Sequence, residues 1–253
     1  FTRDMTGHEV SSEKYTPAES NEEVFRVENL TLKGAFEDVS FSMKKGDIFG
    51  ITGLLGSGRS EIGESIFGIT PPDSGKIILN GKNVTIHSVA DAIENKIAYV
   101  PEDRLTEGLF IEKSIEKNMM ASSLRKYFKG MKLDEKAMRE ASDDLVKELG
   151  VVTPSSQVPV RTLSGGNAQK VVIAKWLNTH PKLFILNGPT VGVDIGAKTE
   201  IHELLRKLAA QGMAIVIISD DLSELITNCN KIMVMKNGKA SGITDNNIDN
   251  IKL

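Results

Sequence analysis

The stretch Gly53-Leu54-Leu55-Gly56-Ser57-Gly58-Arg59-Ser60 constrains this chain more than any other. It follows a short apolar run at 48–51 and opens onto a helix-compatible segment at 60–67. Strand, glycine loop, helix is the order of a phosphate-binding loop, G-x-x-x-x-G-K-[ST]. Glycines at this spacing let backbone N–H groups curl inward around phosphate oxygens, and the start of the following helix adds partial positive charge. One letter departs: Arg59 stands where the pattern has lysine, which keeps the charge but on a planar, bulkier fork. An ordinary Gly-rich turn between strand and helix is the bland alternative for this stretch alone, and the motifs further along the chain argue against it.

With 253 residues and an apolar share of 40%, the chain can bury one large core or a core with an inserted lobe. Its formal net charge of −3 gives no basic footprint, so nucleic acid is not an expected partner. Cys229 is the one cysteine, which excludes a disulfide framework and fits a reducing compartment. No run reaches the roughly 18–20 apolar residues of a membrane span, and the start has no signal-peptide centre. The sequence therefore reads as a cytosolic protein able to dock on a membrane protein. Residues 1–22 are polar and aperiodic and read as a linker or tail from a longer polypeptide, with the folded domain over 23–253.

Along that domain, short apolar runs at 24–27 and 39–43 suggest antiparallel strands, and Asn80-Gly81 marks a second hairpin after the run at 75–79. A brief strand is expected at 97–100. Between about 106 and 162 the pattern turns helical: Ala137, Met138, Ala141, Leu145 and Leu149 share a face, with Asp134 as N-cap and Gly150 as stop. Then comes Leu163-Ser164-Gly165-Gly166-Asn167, running into a helix that carries Ile173, Trp176 and Leu177. Continuous apolar runs at 183–186, 213–218 and 232–235 read as buried parallel strands, with a helix at 195–211 between the first two. Strand and helix alternate, so the fold class is α/β: a parallel-core sheet, an antiparallel β subdomain and an inserted helical lobe.

A phosphate loop at 53–60, followed roughly a hundred residues later by Leu163-Ser164-Gly165-Gly166, resembles the ATP-binding cassette (ABC) ATPases, whose signature the second motif is. Three further stretches resemble the second, C-terminal cassette of the simple-sugar importers for ribose, galactose, arabinose and xylose. They are Gly58-Arg59-Ser60-Glu61, Tyr99-Val100-Pro101-Glu102-Asp103-Arg104, and Val193-Asp194-Ile195-Gly196-Ala197-Lys198. The resemblance covers about residues 24–240. It implies ATP and Mg²⁺ as cofactors, a first cassette in the same polypeptide and transmembrane permease subunits as partners, and a peripheral position at the inner face of the plasma membrane.

Carried over residue by residue, the resemblance places Gly53, Gly56, Ser57, Gly58, Arg59, Ser60 and Glu61 around the phosphates, with the Ser60 hydroxyl as a weak Mg²⁺ ligand. Without the loop before it, Ser60 reads equally as an ordinary first-turn helix residue. An active cassette has Asp then Glu after the strand at 183–186; this chain has Asn187 and Gly188. The amide supplies no charge and glycine supplies no base, a group worth about 10²–10⁴ in rate. Where an active cassette has a His on the γ-phosphate, this chain has Asp220, repulsive toward phosphate by about 4 kcal/mol at 4 Å and an effective dielectric near 20. Glu102 takes the place of a metal-contacting Gln, and two readings stand for it: partial restoration of metal affinity, or a solvated loop charge. The stretch 32–35 has no aromatic for the adenine to stack on, and Phe36 reads as core.

The signature is intact. Leu163, Ser164, Gly165, Gly166 and Asn167 would serve ATP held on another cassette's loop, and Asp194 would face that same partner. The resulting expectation is a degenerate nucleotide-binding domain that completes a partner's ATP site and couples ATP binding to transport. The rivals are an active ATPase in which Arg59 and Glu102 substitute for the missing groups, and a scaffold that binds no nucleotide. His8, His87, His180 and His202 are isolated, with no metal spacing, and the methionines read as core filler.

Overall fold

Alternation builds the first sheet. Strand β1 (Glu23–Leu32) turns Phe25, Val27 and Leu30 inward, and β2 (Phe36–Lys44) does the same with Phe36, Val39, Phe41 and Met43. Val27 and Leu30 are three apart, which plain alternation would put on opposite faces. A register irregularity between them, with Asn29 at φ +50°, returns Leu30 to the core side. β4 (Ser74–Leu79) and β5 (Lys82–Val84) complete an antiparallel sheet of order β2-β1-β4-β5, closed by the Asn80-Gly81 turn. Phe36 lies in the core, 3% exposed.

The computed structural model describes residues 14–246, so His8, the first 13 residues of the expected tail and the last seven of the chain lie outside the described residues. The chain divides into two compact units, the first made of residues 14–99, 181–189 and 202–246, the second of Val100–His180 and Thr190–Ile201. From residue 14 the expected tail has no regular structure until β1, but Tyr15 fastens it: its N–H donates to Thr227 O and its hydroxyl to Gly46 O.

In the first unit, β3 (Ile48–Gly53), β9 (Leu183–Asn187) and β10 (Ala214–Ile218) are continuous apolar runs and pair in parallel, β10 between the other two. On the far side of β3 lies β11 (Lys231–Lys236), also parallel, and beyond it β12 (Lys239–Asp245), antiparallel; β6 (Ile97–Val100) extends the other edge next to β9. Phe41 of the antiparallel sheet stacks on Phe49 of β3 with centroids 4.6 Å apart, which joins the two sheets. Helix α1 (Arg59–Ile66) packs so close to the parallel sheet that a side chain at Gly63 would meet Ile218 Cδ1 at 2.7 Å.

The second unit holds a π-helical turn at Arg104–Gly108, helix α3 (Ile115–Met120), a 3₁₀ segment at Ala121–Tyr127, a two-stranded ribbon of β7 (Phe128–Lys129) and β8 (Lys132–Leu133), helix α4 (Glu135–Glu148) and helix α5 (Gly165–Leu177). The expected caps of α4 are present: the Asp134 carboxylate accepts from Ala137 N–H and Gly150 has φ +59°. Its buried face differs from expectation. Met138 and Leu149 are fully covered, Ala137, Ala141 and Leu145 only partly, and Ser142, one turn on from Met138, is fully buried with its hydroxyl 3.7 Å from Met119 Sδ. Met131, in the turn between β7 and β8, is 98% exposed, so it is not core filler.

Helix α6 (Ile195–Ala210) starts in the second unit and ends in the first. Three short helices escaped periodicity: α2 (Val89–Glu94), α3 and α7 (Leu222–Asn228), of six, six and seven residues, each capped by a side chain, Ser88, Ser114 and Asp221. Two turns are too few for a stripe, and only the capping residues carried a signal. Among the described residues, no helix is long and apolar enough to cross a membrane.

Candidate functional site

In the first unit, the glycine loop runs from the end of β3 into α1. Gly58 caps α1 at φ +91° without a side-chain bond, and a Cβ there would lie 2.6 Å from Ala35 O. A Cβ on Gly53 would lie 2.5 Å from Met235 O, whereas one on Gly56 would meet open space. The loop is therefore held shut on one side by packing and left open on the other. Ser57 is buried, 4% exposed, and its hydroxyl has no partner among the described residues; it lines a cavity of about 430 Å³ together with Gly53, Leu54, Leu55, Asp220 and Leu222. A glycine cradle, an uncapped helix start and an unpaired buried hydroxyl fit a phosphate group. Leu54 and Leu55 at the loop tip are 84% and 97% exposed.

Arg59 does not stretch out into solvent. It is buried, its Nη1 donates to Gly53 O at 2.6 Å, and its Nη2 lies 3.5 Å from Asp220 Oδ2. Asp220, whose side chain is 74% exposed, is thus the counter-ion of the loop's own cation, and the expected bare repulsion toward phosphate is corrected to that extent. Ser60 donates its hydroxyl to Asn187 Oδ1 at 3.4 Å, and Asn187 Nδ2 donates to the Tyr99 hydroxyl at 3.3 Å. Asn187 is 5% exposed, and Gly188 beside it takes φ +56° and donates its N–H to Ile218 O at 2.8 Å. Glu61 sits half-buried in the first turn of α1.

These neighbours do not suit Mg²⁺. The ion favours octahedral oxygen ligands and is commonly held through one or two carboxylates besides phosphate. The Ser60, Asn187 and Tyr99 chain is neutral, and the nearby carboxylate of Asp220 is paired with Arg59. Among the described residues, no group of three or more His, Cys, Asp or Glu is placed to hold a metal. Glu102 belongs to the second unit, in the loop after β6, and is exposed.

The signature lies in the second unit. Leu163 ends a short 3₁₀ turn (Val160–Thr162), and Ser164, exposed, caps α5: its Oγ accepts from Asn167 N–H at 3.4 Å and from Asn167 Nδ2 at 3.0 Å. Asn167 Oδ1 in turn accepts from Val152 N–H at 2.9 Å. The two glycines are required by close approach. A Cβ on Gly165 would meet Gly192 O at 2.9 Å, and one on Gly166 would lie well inside van der Waals contact with Ala197 Cβ. Asp194 caps α6 through Ala197 N–H at 3.0 Å and is exposed.

Sequence reasoning missed the residue that organises this corner. Arg104 donates from Nη1 to Val191 O at 2.5 Å and from Nη2 to Gly192 O at 2.9 Å, directly beside the Gly165 backbone. It belongs to the family-like stretch 99–104, but no local pattern assigns it a partner some ninety residues away. Two further groups were also hidden. Lys175 of α5 is buried with its ammonium on Gly108 O at 2.6 Å, and burial pulls its pKa down to about 8. His202 is not isolated: its Nε2 lies 2.8 Å from Glu224 Oε1, while Glu224 Oε2 accepts from the Ser219 hydroxyl at 2.7 Å. Burial and the Glu224 charge together raise the Cys229 thiol well above its ordinary range.

The sequence profile described as ABC transporter matches residues 36–191. The chain belongs to the ABC transporter family. It is 44% identical over 220 residues to the ribose import ATP-binding protein RbsA of Bacillus cereus, covering 87% of this chain and 44% of that protein. It is 43% identical over 244 residues to a putative ribose/galactose/methyl galactoside import ATP-binding protein of Pseudomonas syringae, covering 95% of this chain and 46% of that one. The chain thus spans about half the length of the curated relatives it matches. Among solved structures, a nucleotide-free ATP-binding cassette from an ABC transporter superposes with a TM-score of 0.76 at 24% identity, covering 88% of this chain and 91% of that one, which bears on the fold alone. CbiO1 from Clostridium perfringens, part of the ABC transporter complex CbiONQ, gives 0.74 at 26% identity, with 89% and 90% covered. The fold is accordingly that of an ABC cassette: mixed α/β with a largely parallel sheet, an antiparallel sheet and helical segments.

Proposed function

We propose that this chain is one cassette of a sugar-import ABC ATPase whose own loop does not hydrolyse ATP and whose signature completes the ATP site of a partner cassette. The observation that carries the reading is the contrast between the two motifs. Around the loop, the positions of the metal-orienting carboxylate and the base are a neutral amide locked between Ser60 and Tyr99 and a glycine in a left-handed turn. At the signature, Ser164 is exposed at the start of a 13-residue helix, with Asn167 and Arg104 holding its surroundings. A hydroxyl, backbone N–H groups and a helix start are suited to a γ-phosphate presented from outside. The printed names of the two relatives support sugar import as the transport concerned, and both relatives extend over about twice this length. The partner cassette would lie in the same polypeptide, joined through residues 1–22, and permease subunits would seat the assembly at the inner face of the membrane. The helical lobe at 106–162 and the loop at 101–110 would pass ATP-driven closure on to them.

The test is phosphate release measured on the chain alone and on the chain assembled with its partner cassette, with and without Ser164→Arg. The expected result is background turnover alone, turnover in the assembly, and its loss in the variant, since removing one such donor costs about 10²–10³ in rate. Full activity of the Ser164→Arg assembly would overturn the reading.

A further inference from the structure

We infer that the loop at 53–60 takes the polyphosphate of a nucleotide without a divalent cation, with Arg59 supplying the positive charge that a metal supplies elsewhere. The inference rests on the reading of this chain's own site as non-hydrolysing. Three features of the site converge on it. The cradle is present: Gly56 faces open space, α1 starts without a side-chain cap, and the buried Ser57 hydroxyl lacks a partner among the described residues. The metal's surroundings are not: Ser60 spends its hydroxyl proton on Asn187, Asn187 is fastened to Tyr99, and Gly188 carries no side chain. The Arg59 guanidinium stands in the loop instead, with five N–H donors of which Gly53 O and Asp220 account for only two contacts.

The weak pairing with Asp220 makes exchange feasible. At 3.5 Å, with the carboxylate side chain 74% exposed, Asp220 is a replaceable partner, so an incoming phosphate oxygen can take its place while Arg59 stays paired and in position. A metal-free nucleotide carries more negative charge than its magnesium complex. A site whose attraction comes from Arg59 and backbone N–H groups therefore prefers the metal-free form, whereas a site built on carboxylates has the opposite preference. Asp220 sets how tightly that form is held, because its carboxylate competes for Arg59.

The experiment is calorimetric titration of the 253-residue chain with ATP, once in excess Mg²⁺ and once in EDTA. The expected result is saturable binding in both, with Kd in EDTA equal to or lower than Kd in Mg²⁺. Asp220→Asn, a change at an exposed side chain that leaves the buried Arg59 in place, should lower Kd in EDTA by about two- to fivefold, the weight of one exposed ion pair. Asn187→Asp should shift the preference toward Mg²⁺. Binding that weakens tenfold or more in EDTA overturns the inference, and so does an Asp220→Asn chain whose Kd is unchanged. No saturation under either condition overturns it as well but leaves the signature reading standing. Magnesium-dependent binding with turnover by the chain alone overturns both.

Discussion

Gly188→Glu places a carboxylate at the position where the family resemblance puts a general base, and the structure sets what this costs. Gly188 is buried at φ +56°, pinned there by its N–H bond to Ile218 O at 2.8 Å. A side chain in that backbone region costs about 1–2 kcal/mol. For a chain of this size, each 1 kcal/mol lowers Tm by roughly 2–4 °C, so a drop of roughly 2–8 °C is expected from the backbone alone. Any desolvation of the new carboxylate adds to it and favours the protonated form, which is no base. Relaxing the turn would require giving up the Ile218 bond at the end of β10, next to Asp220. The gain on offer is about 10²–10⁴ in rate, but only with the carboxylate aimed at a bound water and with charge beside it, and Asn187 supplies none. The expected outcome is a lower Tm by circular dichroism and no rise in phosphate release, with Gly188→Asn losing less stability because asparagine enters the left-handed region more readily. An unchanged Tm together with a rise in turnover of about 10² or more would falsify this reasoning.

Two further outcomes are expected from packing and burial. Gly58→Ala should destabilise the chain even without nucleotide, by about 2–4 kcal/mol, since it adds left-handed strain at φ +91° to a contact 2.6 Å from Ala35 O; urea unfolding checks it, and wild-type stability with lost nucleotide binding would mean that the glycine serves only the ligand. Lys175, with its folded pKa near 8 against 10.5 when unfolded, is charged in both states below pH 8, so burial of the charge counts fully against folding there; between 8 and 10.5 the unfolded chain binds more protons, and stability should rise with pH by up to about 3 kcal/mol. The urea midpoint at pH 7.5 and 9.5, taken as the difference between wild type and Lys175→Met, should show that rise, and a flat difference would assign the amine no such cost.

The parts of this fold that were legible in the sequence are those whose cause is local. The apolar runs at 183–186, 213–218 and 232–235 read as buried strands, and β9, β10 and β11 lie there; the caps of α4 were visible in Asp134 and Gly150. The glycine loop and the signature were legible because backbone geometry demands particular residues at fixed spacing. What stayed hidden depends on residues far apart in the chain. Arg59 meets Asp220, Arg104 meets residues 191 and 192, and His202 meets Glu224, each through side chains whose local sequence carries no mark of the partner. Ser142 defeats a stripe drawn from apolar letters, because a small hydroxyl can fill a buried position when a thioether lies against it.

The same distinction bears on how far a phosphate-loop motif can be trusted as a sign of chemistry. Gly53 and Gly58 face backbone carbonyls of Met235 and Ala35 at distances that leave no room for a methyl group. Their presence is explained by the joint between β3, β11 and the turn before β2, whether or not a phosphate ever arrives. Gly56 alone of the three faces open space, and its φ of +76° is itself a reason for glycine there. The glycine spelling of such a loop is therefore required by the fold independently of any chemistry at the site. At 59, 187 and 220 this chain has an arginine with its own counter-ion and an amide tied to a serine and a tyrosine. The spelling of the loop thus speaks for the cassette fold, whereas its chemistry rests on the side chains around it.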